Sequence, residues 1–190
     1  MNADEFSDIA SIEQAAVFGA ACAERAIGVL FWVVSEDDRR DDLDRYHEAL
    51  EMLWNPVVGD PSRYSSMHQV LEGMREMSVG DELSGPAAHA LHAVVVLHSA
   101  LGILAEESVA AMEECSMAAR NSAFRIESRT GSRLLSLEER CQAEDIDSLL
   151  AEEGVDKIRD NARRFGRERL DLLYAYYRQS NPGVQAPSGR

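Results

Sequence analysis

Two histidines three residues apart, His89 and His92, and an acid–histidine pair at the same spacing, Asp44 and His47, are the residues of this chain best spaced for metal or proton chemistry. Positions three apart share a helix face, so His89 and His92 could ligate one ion. His98 points to the opposite side of that helix and cannot join them. A di-metal centre in a helical bundle needs paired Glu-x-x-His motifs with further carboxylates on facing helices, and only Asp44-x-x-His47 has an acid–histidine spacing. The ordinary reading of all three histidines is packing at helix interfaces, with His47 at the rim of an inward stripe. No metal and no cofactor are expected. Nucleophilic catalysis has no signature either: there is no G-x-S-x-G, no glycine-rich phosphate loop and no local Cys/His motif. Cys22, Cys115 and Cys141 are odd in number, lack C-x-x-C spacing and read as reduced, small core residues. No residue is assigned as catalytic.

Charge carries more information. Of 190 residues, 34 are Asp or Glu and 19 are Lys or Arg, a formal net charge of −15. That field opposes nucleic acid and anionic membrane surfaces and suits a basic protein partner. Asp41, Asp44, Glu48 and Glu51 form a carboxylate ridge along one helix, opposite an apolar stripe of Leu43, Tyr46, Leu50, Leu53 and Trp54, with His47 at its rim. Residues 145–169 could pass for a helix-turn-helix, with Lys157, Arg159, Arg163, Arg164 and Arg167 on the second helix. The acidic residues just before it would repel phosphates, so pairing of neighbouring helices within the chain is the better account. Arg169 falls inside an apolar stripe with Phe165, Leu172 and Leu173, which predicts a buried guanidinium paired with a carboxylate, Glu24 being the first choice.

The elements that must position these groups read as helices almost throughout. Ala15 to Val34 has the length of a membrane span, yet Glu24 and Arg25 sit in its middle, and its flanks are acidic. It is therefore read as a helix wrapped by other helices. A capping box at Ser11-Ile12-Glu13-Gln14 starts it, and it should run to about Ser35. Further helices are predicted from Asp38 to Trp54, from Pro61 through Met77, from Pro86 to Leu104, from Glu107 to Ser128, from Ser136 to Glu153 with a break near Asp145, and from Val155 to Tyr177. The helix opened by Pro86 is apolar nearly all round (Leu91, Val94, Val95, Val96, Leu97, Leu101, Ile103, Leu104). The expectation is an all-α single-domain bundle of six or seven helices with two central apolar ones, spanning 11–178, after a polar lead-in at 1–10 and before a disordered tail at 179–190. No basic leader or lipidation motif is visible at the start, so cytoplasm is the expected compartment.

The run Ala20 to Trp54, with Glu24-Arg25 in the first helix and Leu50-Glu51-Met52-Leu53-Trp54 closing the second, resembles the bacterial domain of unknown function 416 (YjaG-like) family. Pro86-Ala87 opening an apolar helix, then Ala110-Ala111 and Ser116, continue the likeness, which extends over about 12–178. Ala26-Ile27-Gly28 departs from it, standing where an aromatic and a proline are expected. The resemblance implies a compact all-helical protein and supplies no catalytic residue or cofactor.

Two functions are compatible with these residues. One is a non-enzymatic acidic protein that docks a basic protein, as an immunity protein or antitoxin docks a toxin, through Asp41, Asp44, Glu48 and Glu51, with Trp32 as an aromatic contact. Homodimerisation is left open. The other is a ligand-binding protein or enzyme with a small-molecule pocket between the central helices, lined by His89, His92 and Glu24.

Overall fold

The capping box at Ser11 is formed. Its Oγ accepts from the Gln14 N–H at 3.2 Å and Gln14 Oε1 accepts from the Ser11 N–H at 3.0 Å, starting α2 (Ile12–Glu36). In the computed structural model, which describes residues 1–79 and 83–180, α2 is one of nine helices, and no strand occurs among the described residues. The others are α1 (Ala3–Ser7), α3 (Arg40–Trp54), α4 (Pro61–Glu72), α5 (Arg75–Val79), α6 (Pro86–Ala105), α7 (Ala111–Thr130), α8 (Leu134–Leu150) and α9 (Val155–Ser180). The disordered tail expected at 179–190 is corrected at its start, since α9 continues through 179 and 180; residues 181–190 lie outside the described residues.

The protein is all-α, with α2 and α6 at the centre of one helical domain. Both are long and apolar enough to cross a membrane by length and composition, yet 83% and 61% of their apolar windows are buried inside the fold. They pack directly on each other, and a Cβ at Gly19 would lie 3.0 Å from Cβ of Ala100. Around this pair, α3, α7, α8 and α9 flank α2, while α3, α4, α5 and α7 flank α6. Buried Phe18, Leu30, Leu50, Leu53, Leu97 and Leu101 fill the core between them.

Several expectations need correction. The lead-in 1–10 is not featureless, because Asn2 and Glu5 form a second capping box and α1 buries Phe6 completely against α7 and α8. The single helix expected from Pro61 through Met77 is two, α4 ending at a Gly73 cap before α5. α8 runs unbroken through Asp145, whose side chain is paired inside rather than breaking the turn. His47 is exposed, as are Val155 and Leu172 of the expected α9 stripe.

Gly28 has a physical role in packing. α9 crosses α2 at Gly28 and Gly166: a Cβ on Gly28 would meet Leu170 Cβ at 3.1 Å, and one on Gly166 would meet the Glu24 carbonyl oxygen at 2.9 Å and Arg25 Cα at 3.3 Å. Backbone atoms cannot turn aside as a side-chain end can. Gly166→Ala is therefore expected to destabilise by ~1–3 kcal/mol through overpacking, despite ~1 kcal/mol of improved helix propensity. Gly102→Ala, whose Cβ would meet nothing nearer than Glu106 Oε1 at 4.0 Å, is expected to be neutral or stabilising. Denaturant unfolding of the two variants checks this, and equal effects would contradict the close crossing.

Candidate functional site

α2 is apolar apart from a narrow strip, and that strip places Arg25 in the interior, 2% exposed. A buried guanidinium keeps its charge, so it needs carboxylates. α8 supplies two, one turn and nearly a second apart. Arg25 Nη1 donates to Asp145 Oδ2 at 2.6 Å, and Nη2 and Nε donate to Glu138 at 2.9 and 3.1 Å. Gln142, between them on α8, donates to Glu138 at 3.1 Å and accepts from the Ser116 hydroxyl of α7 at 2.7 Å. Arg169 enters the same cluster from α9, donating to Ser122 Oγ at 2.5 Å and lying 3.9 Å from Glu138 Oε2. Two guanidinium groups and two carboxylates thus close the interface of α2, α7, α8 and α9.

Arg169 is buried, as its stripe predicts, but its carboxylate is Glu138 and not Glu24. Glu24 accepts from the Trp54 indole N–H at 2.9 Å and from Arg163 at 3.3 Å. Neighbours on a helix point about 100° apart. α2 therefore sends Arg25 toward α8 and Glu24 toward α3 and α9, a separation lost when both are drawn on one strip. Trp32 is also corrected. It is 1% exposed, covered by Tyr174 and Tyr177 of α9 in edge contacts of 5.6 and 5.8 Å, with its indole N–H on Glu36 at 2.8 Å. It offers no surface to a partner.

The ridge divides. Asp41, Asp44 and Glu48 are exposed on α3 and take part in no ion pair among the described residues. Glu51 is held by Arg159 of α9, which also stacks 5.5 Å from the centre of the Trp54 ring. Three of the basic side chains of α9 are paired in the same way, Lys157 on Glu153, Arg159 on Glu51 and Arg163 on Glu24, while Arg164 lies over the Phe165 ring and Arg167 is exposed. Two of these acidic partners come from α2 and α3 rather than from the preceding α8. A second acidic surface escaped the sequence reading because its parts are distant in the chain. It is a groove of about 790 Å³ between α1, α7 and α8, lined by Asp4, Glu5, Glu113 and Glu139, the last paired with Arg120 at 3.0 Å, beside Met1 and Met117. There a hydrogen bond with Asp4 raises the Glu113 carboxyl above its ordinary value.

His89 is buried against Tyr177, and burial, with His92 and the cations Arg169, Arg129 and Arg125 nearby, holds it down to about 4. His92 is held to about 4 by burial and by Arg125 and Arg169. Both are neutral at neutral pH, in a positive environment that repels a metal ion. Asp44 and His47 are both exposed. A different set is brought together where α4 crosses α6. The rings of His68 and His98 stack at 3.4 Å, with Glu72 beside them and one ligand atom of each residue within 4.8 Å of the others. His68-x-x-x-Glu72 is visible in the sequence as one helix face, but its partner lies thirty residues away. All three cysteines are buried and free, and burial pushes Cys141 up to about 12, which keeps it a thiol.

No family model matches the chain, and neither curated proteins nor solved structures provide a match.

Removing one partner of a buried charge cluster leaves the others unpaired. Glu138→Gln, which weakens the neutralisation of Arg25 and Arg169 together, is expected to cost ~3–5 kcal/mol, and Arg169→Met less, as measured by urea unfolding. Burial pushes the Asp145 carboxyl up to about 6, outweighing Arg25, which lowers it, while the neighbouring carboxylates Glu138 and Glu144 add to the rise. The unfolded carboxyl ionises near its ordinary 3.8, whereas the folded one keeps its proton to about 6. The native protein is therefore expected to lose stability relative to Asp145→Asn as pH rises from about 4 through about 6. A stability difference that stays constant across that range would contradict this assignment.

Proposed function

We propose that this is a non-enzymatic, cytoplasmic helical protein that binds a basic protein through the outward face of α3, an inhibitory or neutralising partnership of the kind an immunity protein or antitoxin makes. The observation that carries the reading is that Asp41, Asp44 and Glu48 stand exposed and in no ion pair among the described residues, on a helix whose opposite face, Tyr46, Ala49, Leu50 and Leu53, is buried in the core. A ridge so anchored is rigid, and fixed like charges steer a cationic partner and raise its association rate. The net charge of −15 extends that field over the whole molecule. Glu51 belongs to the ridge only as its inner edge, since Arg159 already neutralises it. Kinship with the domain of unknown function 416 family is part of the same proposal, resting on Glu24-Arg25 and Leu53-Trp54.

The alternative, a small-molecule pocket lined by His89, His92 and Glu24, has less support. Glu24 is turned to Trp54 and Arg163, His89 is packed on Tyr177, and the contact of α2 with α6 is closed at Gly19 and Ala100.

The test uses a complex isolated from the native host, with the partner identified by mass and its binding kinetics measured by surface plasmon resonance. Asp44→Lys/Glu48→Lys is expected to leave the fold intact, since both side chains point into solvent, while slowing association about tenfold or more at low salt and flattening its salt dependence. An unchanged on-rate would show that the ridge serves solubility alone, and recovery of a metabolite in place of a protein would favour the alternative.

A further inference from the structure

We propose that His68, Glu72 and His98 form a binding site for a divalent transition-metal ion, with Zn²⁺ the ion that best fits the donor set. The three residues join α4 to α6: His68 and Glu72 are one helical turn apart on α4, and His98 faces them from α6. A ring nitrogen from each histidine and one carboxylate oxygen lie within 4.8 Å of one another. A tetrahedral zinc site with bonds of about 2.0–2.1 Å places its ligand atoms about 3.3 Å apart, so binding requires the two rings, now stacked 20° from parallel, to turn out of that stack until their in-plane lone pairs converge on the ion.

Two details favour a ligand role over simple packing. His68 Nε2 donates to the backbone carbonyl of His98 at 3.0 Å, which places its proton on Nε2 and leaves the lone pair on Nδ1. Metal-binding histidines are held by such a bond from the non-ligating nitrogen. His98 Nε2 is buried and has no hydrogen-bond partner, with Glu72 Oε1 still 3.5 Å away. A buried ring nitrogen without a partner is costly, and a metal ion would satisfy it.

The surroundings agree with an ion that enters from solvent. Glu72 is 58% exposed and the His98 side chain 23%, so the site lies at the rim of the bundle and leaves the fourth position open to water. The charge is also suitable, because Glu72 brings a carboxylate to two neutral rings. His89 and His92, the pair that sequence spacing favours, stand in the field of Arg125, Arg129 and Arg169. The ion would tie the end of α4 to the middle of α6.

The test is calorimetric titration of the tag-free full chain with ZnCl₂, supported by Co²⁺ absorption in the visible range. One equivalent is expected to bind, Co²⁺ giving the intense bands of a tetrahedral site, and Zn²⁺ raising the melting temperature. His98→Ala and Glu72→Gln should each weaken binding by about tenfold or more, and His89→Ala/His92→Ala should not. Because Glu72 is exposed, Glu72→Gln should keep the ion-free melting temperature, which separates loss of a ligand from loss of fold. Absence of saturable binding, binding that survives Glu72→Gln, or binding lost in the His89→Ala/His92→Ala variant would each overturn the site.

Discussion

The interior of this protein is organised around one buried charge. Arg25 lies in the middle of the helix that most of the bundle packs on, where a guanidinium without carboxylates would be intolerable. Its position on α2 determines where α8 must lie, because Glu138 and Asp145 both have to reach it, and Gln142 between them carries the cluster to Ser116 of α7. α9 then closes over the assembly with Arg169 directed at the same carboxylate. The close approach of α9 to α2 at Gly166 is part of the same constraint, since a larger residue there would push α9 outward from the cluster.

This arrangement separates interior from surface chemistry. Three basic side chains of α9 pair within the molecule, on Glu24, Glu51 and Glu153, while the carboxylates on the outer face of α3 are turned to solvent. Asp41, Asp44 and Glu48 are the outer side of an amphipathic helix whose inner side is anchored by Tyr46, which donates to the carbonyls of Ala23 on α2 and Ala93 on α6 at 3.0 and 3.2 Å. An acidic face held this rigidly needs little ordering when a partner docks, which is the physical basis for reading it as a binding surface.

The fold was legible in the sequence because it depends on local signals. The Ser11 capping box, Pro86 at the start of α6 and the circumferential apolarity of α2 and α6 each act within one helix, and each is present as expected. Pairings across helices were only half legible. The stripe around Arg169 revealed its burial, but the choice between Glu24 and Glu138 depends on where α8 lies, which no single helical wheel contains. Trp32 reads from the sequence as an aromatic contact, and only the position of α9 shows it covered by Tyr174 and Tyr177. The stacked histidines failed for the same reason: His98 was judged against His89 and His92 on its own helix, while its neighbour is on α4.

The central claim, that Arg25 and Glu138 hold α2 and α8 together as an interdependent pair, is tested most directly by a double-mutant cycle of Arg25→Met and Glu138→Met in urea unfolding. Interacting buried charges should show a coupling energy of ~1–3 kcal/mol, with the double variant more stable than the sum of the single losses predicts. Losses that add to within ~0.5 kcal/mol would contradict the account.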